Sequence, residues 1–107
     1  MNWGRSERRI DMNMAARLEI PGESPVIERI VIENISLHGA CIVANRYCQV
    51  RDRVIVCDLD GAFRLDARVV YCRPLVDGRC IIGLHFNDAV ILPAPDKRYG
   101  DGASAQV

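Results

Sequence analysis

The first long feature of the chain is a regular alternation of hydrophobic and polar residues across 10–20. A period of two is typical of a β-strand with one buried face. The proline- and glycine-containing stretch 21–25 then predicts a turn, and the β-branched run Val26–Ile35 predicts a second strand. The pattern therefore predicts that the fold begins with a long β-hairpin.

Four further apolar segments, separated by turn residues, predict four more strands. Their predicted bounds are Ala40–Ala44, Val50–Leu59, Phe63–Tyr71 and Arg79–Phe86. In the third of these segments, alternation places Val69 and Tyr71 on the inward face. Gly39, just before the first segment, is expected to adopt a backbone angle that other residues resist.

Asp60–Gly61 predicts a hairpin turn, but the register of the strand before it stays open. A loop of two residues places Val54 and Val56 on the inward face. A loop of three residues turns the alternate set inward, because a shift of one residue reverses the faces of a strand. That set is Ile55, Cys57 and Leu59.

Six short antiparallel strands joined by tight turns favour a closed barrel, since an open sheet of this kind would leave exposed edges. We therefore predict an all-β, six-stranded antiparallel β-barrel whose interior is filled by side chains. The predicted barrel domain covers residues 10–87. Residues 1–9 are predicted to form a flexible, arginine-bearing tail, and residues 88–107 a mostly irregular, partly disordered C-terminal tail.

Composition narrows the classes of function. Half of the 107 residues are hydrophobic, no apolar run is long enough to span a membrane, and no signal peptide is visible, so we expect a cytoplasmic protein without membrane insertion. The formal net charge of zero and the six aromatic residues argue against a barrel that binds single-stranded nucleic acid. Five cysteines without a Cys-x-x-Cys pair predict reduced, mostly buried thiols.

Neither a metal site nor a catalytic site is expected. His38 and His85 lack the spacing that would gather four metal ligands with the cysteines. Cys80 and His85 are an odd number of residues apart in one strand, so they face opposite sides and cannot act as a nucleophile and base. We expect no enzymatic activity and no cofactor.

Two polar motifs flank the first predicted hairpin. Arg5 and Arg9 form an Arg-x-x-x-Arg pair before the first strand, and Asn34, Ser36 and Gly39 form an Asn-x-Ser-x-x-Gly turn after the second. The start of the first strand lies beside the end of the second in an antiparallel hairpin, so the two motifs are expected to meet at one rim. Guanidinium groups bind guanine edges and phosphates well, which favours a guanine nucleotide as ligand.

These motifs, in this order, resemble those of the PilZ family of bacterial cyclic di-GMP receptor domains. A Val-Ile-Val strand at 54–56 and a final Gly-x-x-Phe at 83–86 extend the resemblance across residues 5–86. The resemblance implies that cyclic di-GMP is bound by the residues of the two motifs and by a few neighbouring residues. The first set is Arg5, Arg9, Asn34, Ser36 and Gly39, and the further contacts are Arg8, Trp3 and His38.

The chain departs from the family pattern at three positions: Asn34 replaces the commoner acid, His38 occupies a position often filled by a smaller residue, and Tyr71 stands roughly where many members have tryptophan. We therefore expect a receptor, monomeric or weakly dimeric, whose N-terminal tail changes conformation on binding. Such a receptor would signal by contact to an unidentified effector protein, with motility, surface polysaccharide or biofilm as outputs. The alternative is a PilZ-like interaction module that does not bind nucleotide.

Overall fold

The computed structural model describes residues 8–88, which form six antiparallel strands and contain no helix. The strands are β1 (Ile10–Ile20), β2 (Val26–Ile35), β3 (Gly39–Ala44), β4 (Arg53–Cys57), β5 (Arg64–Pro74) and β6 (Cys80–Phe86). They close into a barrel in the order β1-β2-β3-β6-β5-β4, with β4 returning to β1. The predicted all-β barrel of six strands is confirmed.

The barrel interior is filled by aliphatic and small side chains from all six strands. The largest fully buried ones include Leu18, Ile42, Ile82, Leu84 and Phe86. Closure leaves no long unpaired edge among these strands, so each strand can bury one face while its backbone groups stay paired. The outer face of β3 is also shielded, since all six of its residues are buried. Within residues 8–88 no helix is long and apolar enough to span a membrane.

Tyr71 faces outward, and the prediction that it shares the inward face of Val69 is wrong. The β5–β6 register shifts between Val69, which pairs with Leu84, and Tyr71, which pairs with Gly83. The extra residue, Val70, forms a β-bulge. After a bulge, the side chains that follow point to the opposite face of the sheet from the one that regular alternation predicts. Cys72 consequently packs against the interior instead of Tyr71.

The strand before the Asp60–Gly61 turn is shorter than predicted. The residues 50–52 belong to a turn, in which Arg51 has a positive φ of 82°, and β4 begins at Arg53. Val54 and Val56 face the interior at 0% and 1% exposure, which resolves the open register. Six residues, 58–63, separate β4 from β5, so neither of the two loop lengths considered applies.

Asp58 closes this six-residue connection. Its carboxylate accepts hydrogen bonds from the backbone N–H groups of Ala62 and Phe63, and its carbonyl accepts one from Gly61. Gly61 has a φ of 78°, a conformation that glycine adopts without a steric penalty. The Asp60–Gly61 pair therefore correctly predicted a turn, but the connection is longer than the two- or three-residue loop that was expected.

Candidate functional site

The first β-hairpin brings one residue of each polar motif together. Ile10 pairs with Ile35, so the chain entering β1 runs beside the chain leaving β2. The Arg9 guanidinium donates a hydrogen bond through Nη1 to the Asn34 Oδ1 atom, at 2.5 Å. The predicted meeting of the two motifs at one rim is therefore observed for Arg9 and Asn34.

Ser36 and Gly39 form the turn that leads from β2 into β3. The Ser36 backbone N–H donates to the Gly39 carbonyl at 2.8 Å, and the Ser36 hydroxyl donates to the same carbonyl at 3.3 Å. Ser36 is fully buried. In these contacts the hydroxyl structures the turn.

Replacing Ser36 with alanine is expected to lower the free energy of unfolding by about 1 kcal/mol, because the Gly39 carbonyl loses one buried hydrogen bond and keeps the other. Urea denaturation, monitored by far-ultraviolet circular dichroism, measures the change. An unchanged denaturation midpoint would show that the hydroxyl adds nothing to the turn.

Gly39 does not have the unusual backbone angle that the sequence suggested. Among residues 8–88 the glycines with a positive φ are Gly22, Gly61 and Gly78. Gly39 is instead the buried first residue of β3 and pairs with His85 of β6. An extended strand suits any residue, so the predicted angle at Gly39 is wrong.

Two histidines lie beside this turn. The rings of His38 and His85 are stacked, with centroids 6.2 Å apart and planes at 14° to each other. The His38 carbonyl accepts a hydrogen bond from the Phe86 backbone N–H at 2.7 Å, which ties the turn to the last strand. His38 therefore lies at the same rim as Ser36.

Sequence reasoning missed a second group of residues on the outer face, centred on Tyr71. Its ring lies over Gly83: a Cβ atom at Gly83 would be 2.6 Å from the Tyr71 Cδ2 and Cζ atoms. The Tyr71 hydroxyl contacts the Cys41 Sγ atom at 3.8 Å, and the Arg73 guanidinium carbon lies 5.3 Å from the ring centroid. Since a bulge aims Tyr71 outward, simple alternation could not have found it.

One outer row of paired residues connects this tyrosine to the motif residues. Asn34 pairs with Cys41, Cys41 pairs with Gly83, and Gly83 pairs with Tyr71. The row therefore crosses β2, β3, β6 and β5 in succession. Arg9 lies at its β2 end, through the hydrogen bond to Asn34.

The side chains of the row itself are uncharged, and the charged groups near it are Arg9, Arg73 and Glu33. Burial raises the pKa of the Tyr71 hydroxyl, and the hydrogen bond with Cys41 raises it further. Burial likewise raises the pKa of the Cys41 thiol, against the opposing effect of Tyr71. The positive charges of Arg9 and Arg73 act on both groups, so a guanidinium lies near each end of the row.

The remaining predicted site residues lie at or beyond the edge of the structure. Arg8 is exposed immediately before Arg9. Trp3 and Arg5 lie outside the described residues, so their predicted contacts stay predictions. Within residues 8–88, no cluster of histidine, cysteine or acidic side chains has an arrangement that could hold a metal ion.

The groups near the rim and along the outer row have the chemistry to bind an anionic, planar ligand. The guanidinium of Arg9, the amide of Asn34 and the ring of Tyr71 lie along one outer row, and the buried Ser36 turn supports its β2 end. Guanidinium groups can bind phosphate or the O6 and N7 edge of guanine, and an aromatic ring can stack on a base. These features together match a nucleotide better than an apolar ligand.

The family model of the PilZ domain matches residues 4–91, and the chain therefore belongs to the PilZ family. PilZ domains are regulatory receptor domains for cyclic di-GMP and are not enzymes. The predicted resemblance is confirmed at the level of the family. No curated protein matches the sequence.

Two solved structures show the same fold. The PilZ domain with c-di-GMP of YcgR from Escherichia coli is 18% identical, with a TM-score of 0.58 over 78% of this chain and 77% of that one. The Bacillus subtilis inhibitor of motility MotI/DgrA is also 18% identical, with a TM-score of 0.55 over 80% of this chain. The present chain covers 44% of MotI/DgrA, less than half of its length.

Proposed function

We propose that this protein is a cyclic di-GMP receptor that binds the nucleotide at the rim formed by Arg9 and the turn after β2. The observation that supports the proposal most is the hydrogen bond between Arg9 and Asn34, at 2.5 Å. It joins the two motifs of the family across the hairpin, although they are far apart in the sequence. Family membership and the nucleotide in the YcgR structure agree with this ligand.

In the proposed complex, the guanidinium groups of Arg5 and Arg9 bind guanine edges or phosphates, since both are good acceptors for a planar donor pair. The Asn34 amide can bond to a base edge, and the turn at Ser36 and Gly39 brings the backbone close to the ligand. Arg8, Trp3 and His38 are proposed as further contacts.

Tyr71 adds a component that the sequence motifs do not include. It is half-buried on the outer row, and the positive charge of Arg9 acts on its hydroxyl. An aromatic ring at this position can contact a guanine base by its face or edge, with a contribution of about 1–3 kcal/mol per stacked base. The hydroxyl keeps its proton at neutral pH, because burial raises its pKa, and so adds no negative charge against an anionic ligand.

We further propose that residues 1–9 change conformation when the nucleotide binds and that the new surface is recognised by an effector protein. A chain that binds a messenger without converting it can transmit the signal only through such a change in contacts. The name of the motility inhibitor MotI/DgrA makes motility a reasonable output to examine first. A cytoplasmic location is part of the same proposal.

Trypsin provides a direct test of binding and of the tail. Bound cyclic di-GMP is expected to slow cleavage after Arg5, Arg8 and Arg9 by about tenfold or more when its concentration is about 100 times the Kd. Mass spectrometry of the fragments measures each cleavage rate. Cleavage after Arg51, in the exposed turn before β4, serves as the internal control for a general change in stability.

GTP and cyclic di-AMP should leave the tail cleavage unchanged. Equal slowing by all three nucleotides would indicate nonspecific anion binding. Unchanged cleavage with cyclic di-GMP would favour the alternative, an interaction module that does not bind nucleotide.

A further inference from the structure

A cleft on the outer face of the barrel lies beside the row that runs from Asn34 to Tyr71. We call it the outer cleft; its volume is about 300 Å³, and it is lined chiefly by Ala15, Val31, Val43, Arg29, Asn45 and Arg79. Part of it follows the neighbouring row of paired residues, in which Val31 pairs with both Ala15 and Val43. The outer cleft therefore adjoins the candidate nucleotide site without including any of its motif residues.

The outer cleft combines a short apolar floor with exposed polar groups. Ala15 and Val31 are half-buried and Val43 is buried, so the floor consists of small, recessed side chains. The other main lining residues are exposed and polar, and two of them carry a guanidinium group: Arg29, Asn45 and Arg79. Such a surface suits a ligand that presents small apolar groups together with carboxylates.

Arg29 is an arginine whose charge the described chain does not compensate. It lies directly opposite Arg17 across β1 and β2, and like charges in such a pair repel each other. Within residues 8–88, neither guanidinium takes part in a hydrogen bond or an ion pair. The Arg17 Nε atom is buried and still lacks an acceptor among these residues. The pair is therefore left with donors that an anion from outside the chain can bind.

A second pair of opposed arginines has a different environment. Arg53 and Arg68 lie opposite each other across β4 and β5. Arg53 forms an ion pair with Asp66 at 2.9 Å, and the Arg68 guanidinium donates a hydrogen bond to the Arg51 carbonyl at 3.1 Å. The chain thus supplies an acceptor to each member of this pair, which it does not do for the pair on β1 and β2.

Two acidic residues close in sequence to the arginines of the outer cleft are already engaged. Glu28 forms an ion pair with Arg46 at 3.2 Å, and Asp77 forms one with Arg79 at 2.8 Å. The second pair is half-exposed, and an exposed ion pair of this kind contributes little to stability. Arg79 can therefore exchange Asp77 for a carboxylate of a partner, while Arg29 is available without any exchange.

We propose that the outer cleft binds an acidic, extended segment of a partner protein. Carboxylates of the segment bond to Arg29 and Arg79, and its small apolar side chains pack on Val31 and Val43. The six strands are paired in a closed barrel, so the segment is recognised through side chains and not by addition of a strand. The identification of this partner with the effector rests on the function proposed above, since the cleft adjoins the proposed nucleotide site.

Other anionic ligands match the lining of the outer cleft less well. Single-stranded nucleic acid binds through aromatic platforms, and none of the lining residues, which all belong to the described range 8–88, is aromatic. Inorganic phosphate can bond to the guanidinium groups but gains nothing from an apolar floor. An acidic peptide uses both parts of the lining.

The test is an NMR titration of the isotope-labelled full-length protein with the synthetic peptide acetyl-Asp-Glu-Val-Asp-Ala-Glu-Asp-amide, without nucleotide. Saturable shifts of the backbone amide signals of Ala15, Val31 and Asn45 are expected, with a Kd below about 1 mM. Arg29→Ala, Arg79→Ala should weaken peptide binding by about tenfold or more, because charge-assisted hydrogen bonds are lost.

The opposed pair on β4 and β5 provides the matched control. Arg53→Ala, Arg68→Ala removes the same charge outside the outer cleft and should leave the Kd for the peptide within about threefold of the wild-type value. A peptide with asparagine and glutamine in place of its acids should not bind. Equal binding of that peptide would overturn the role of the two arginines.

Shifts confined to other parts of the barrel, or no shifts at several times the expected Kd, would overturn the docking site. The same shifts with inorganic phosphate, at equal affinity, would show an anion site that does not recognise a peptide. Sedimentation with phosphatidylglycerol vesicles that depends on Arg29 and Arg79 would assign the surface to a membrane and overturn the peptide assignment. If calorimetry shows no binding of cyclic di-GMP, the proposed function fails, while the NMR titration still decides the docking site.

Discussion

Replacing Gly83 with alanine is expected to lower the free energy of unfolding by about 1–3 kcal/mol, because the added Cβ occupies the space of the Tyr71 ring. The three nearest atoms to a Cβ at this position all belong to that ring. The ring must leave its place over β6, with loss of its contacts to Cys41 and Arg73. Urea denaturation followed by circular dichroism measures the loss.

A double-mutant cycle separates the clash from any other effect of the substitution. In a Tyr71→Ala background, Gly83→Ala should be neutral or stabilising by up to about 1 kcal/mol, since alanine costs less backbone entropy than glycine in a strand. An equal loss of stability in both backgrounds would contradict the packing of Tyr71 on Gly83. The wild-type and Gly83→Ala proteins should also differ in affinity for cyclic di-GMP if Tyr71 contacts the ligand.

The double substitution Arg5→Ala, Arg9→Ala is expected to raise the Kd for cyclic di-GMP by at least about 100-fold. Each charge-assisted hydrogen bond to a guanidinium contributes about 1.5–3 kcal/mol, and a 1.4 kcal/mol loss is tenfold in affinity. Calorimetric titration measures the change. The fold should be retained, because both residues precede the first strand of the barrel.

A matched control removes the same charge from two ion pairs that the proposed site does not include. Arg53 and Arg64 lie on β4 and β5, where they form ion pairs with Asp66 and Glu19. Arg53→Ala, Arg64→Ala should leave the Kd within about threefold of the wild-type value, since exposed ion pairs contribute little and no ligand contact is lost. A similar loss in both double variants would show that net charge, and not the motif, determines binding.

Much of the fold could be predicted because alternation is the main signal of a half-buried strand. The bounds of β1 and β2 follow from it directly, and the antiparallel hairpin then brings Arg9 to Asn34. The turn residues between the apolar segments predicted where the connections between strands lie. Family resemblance added the ligand, which neither periodicity nor spacing could have supplied.

The errors arise where the backbone departs from regular alternation. The bulge at Val70 has no sequence signature, and it turns Tyr71 outward and Cys72 inward. The sequence therefore placed Tyr71 on the wrong face, and the outward position of its ring could not be predicted. The start of β4 was mispredicted for a different reason: Val50 has a high strand propensity, but it lies in a turn that also contains the left-handed residue Arg51.

Calorimetric titration of the purified wild-type protein with cyclic di-GMP, with GTP and cyclic di-AMP as controls, tests the central claim most directly. The account predicts saturable binding of cyclic di-GMP with a defined stoichiometry and no comparable heat from either control nucleotide. Absence of binding by a folded protein at high ligand concentration would contradict the receptor proposal and leave the PilZ barrel as an interaction module.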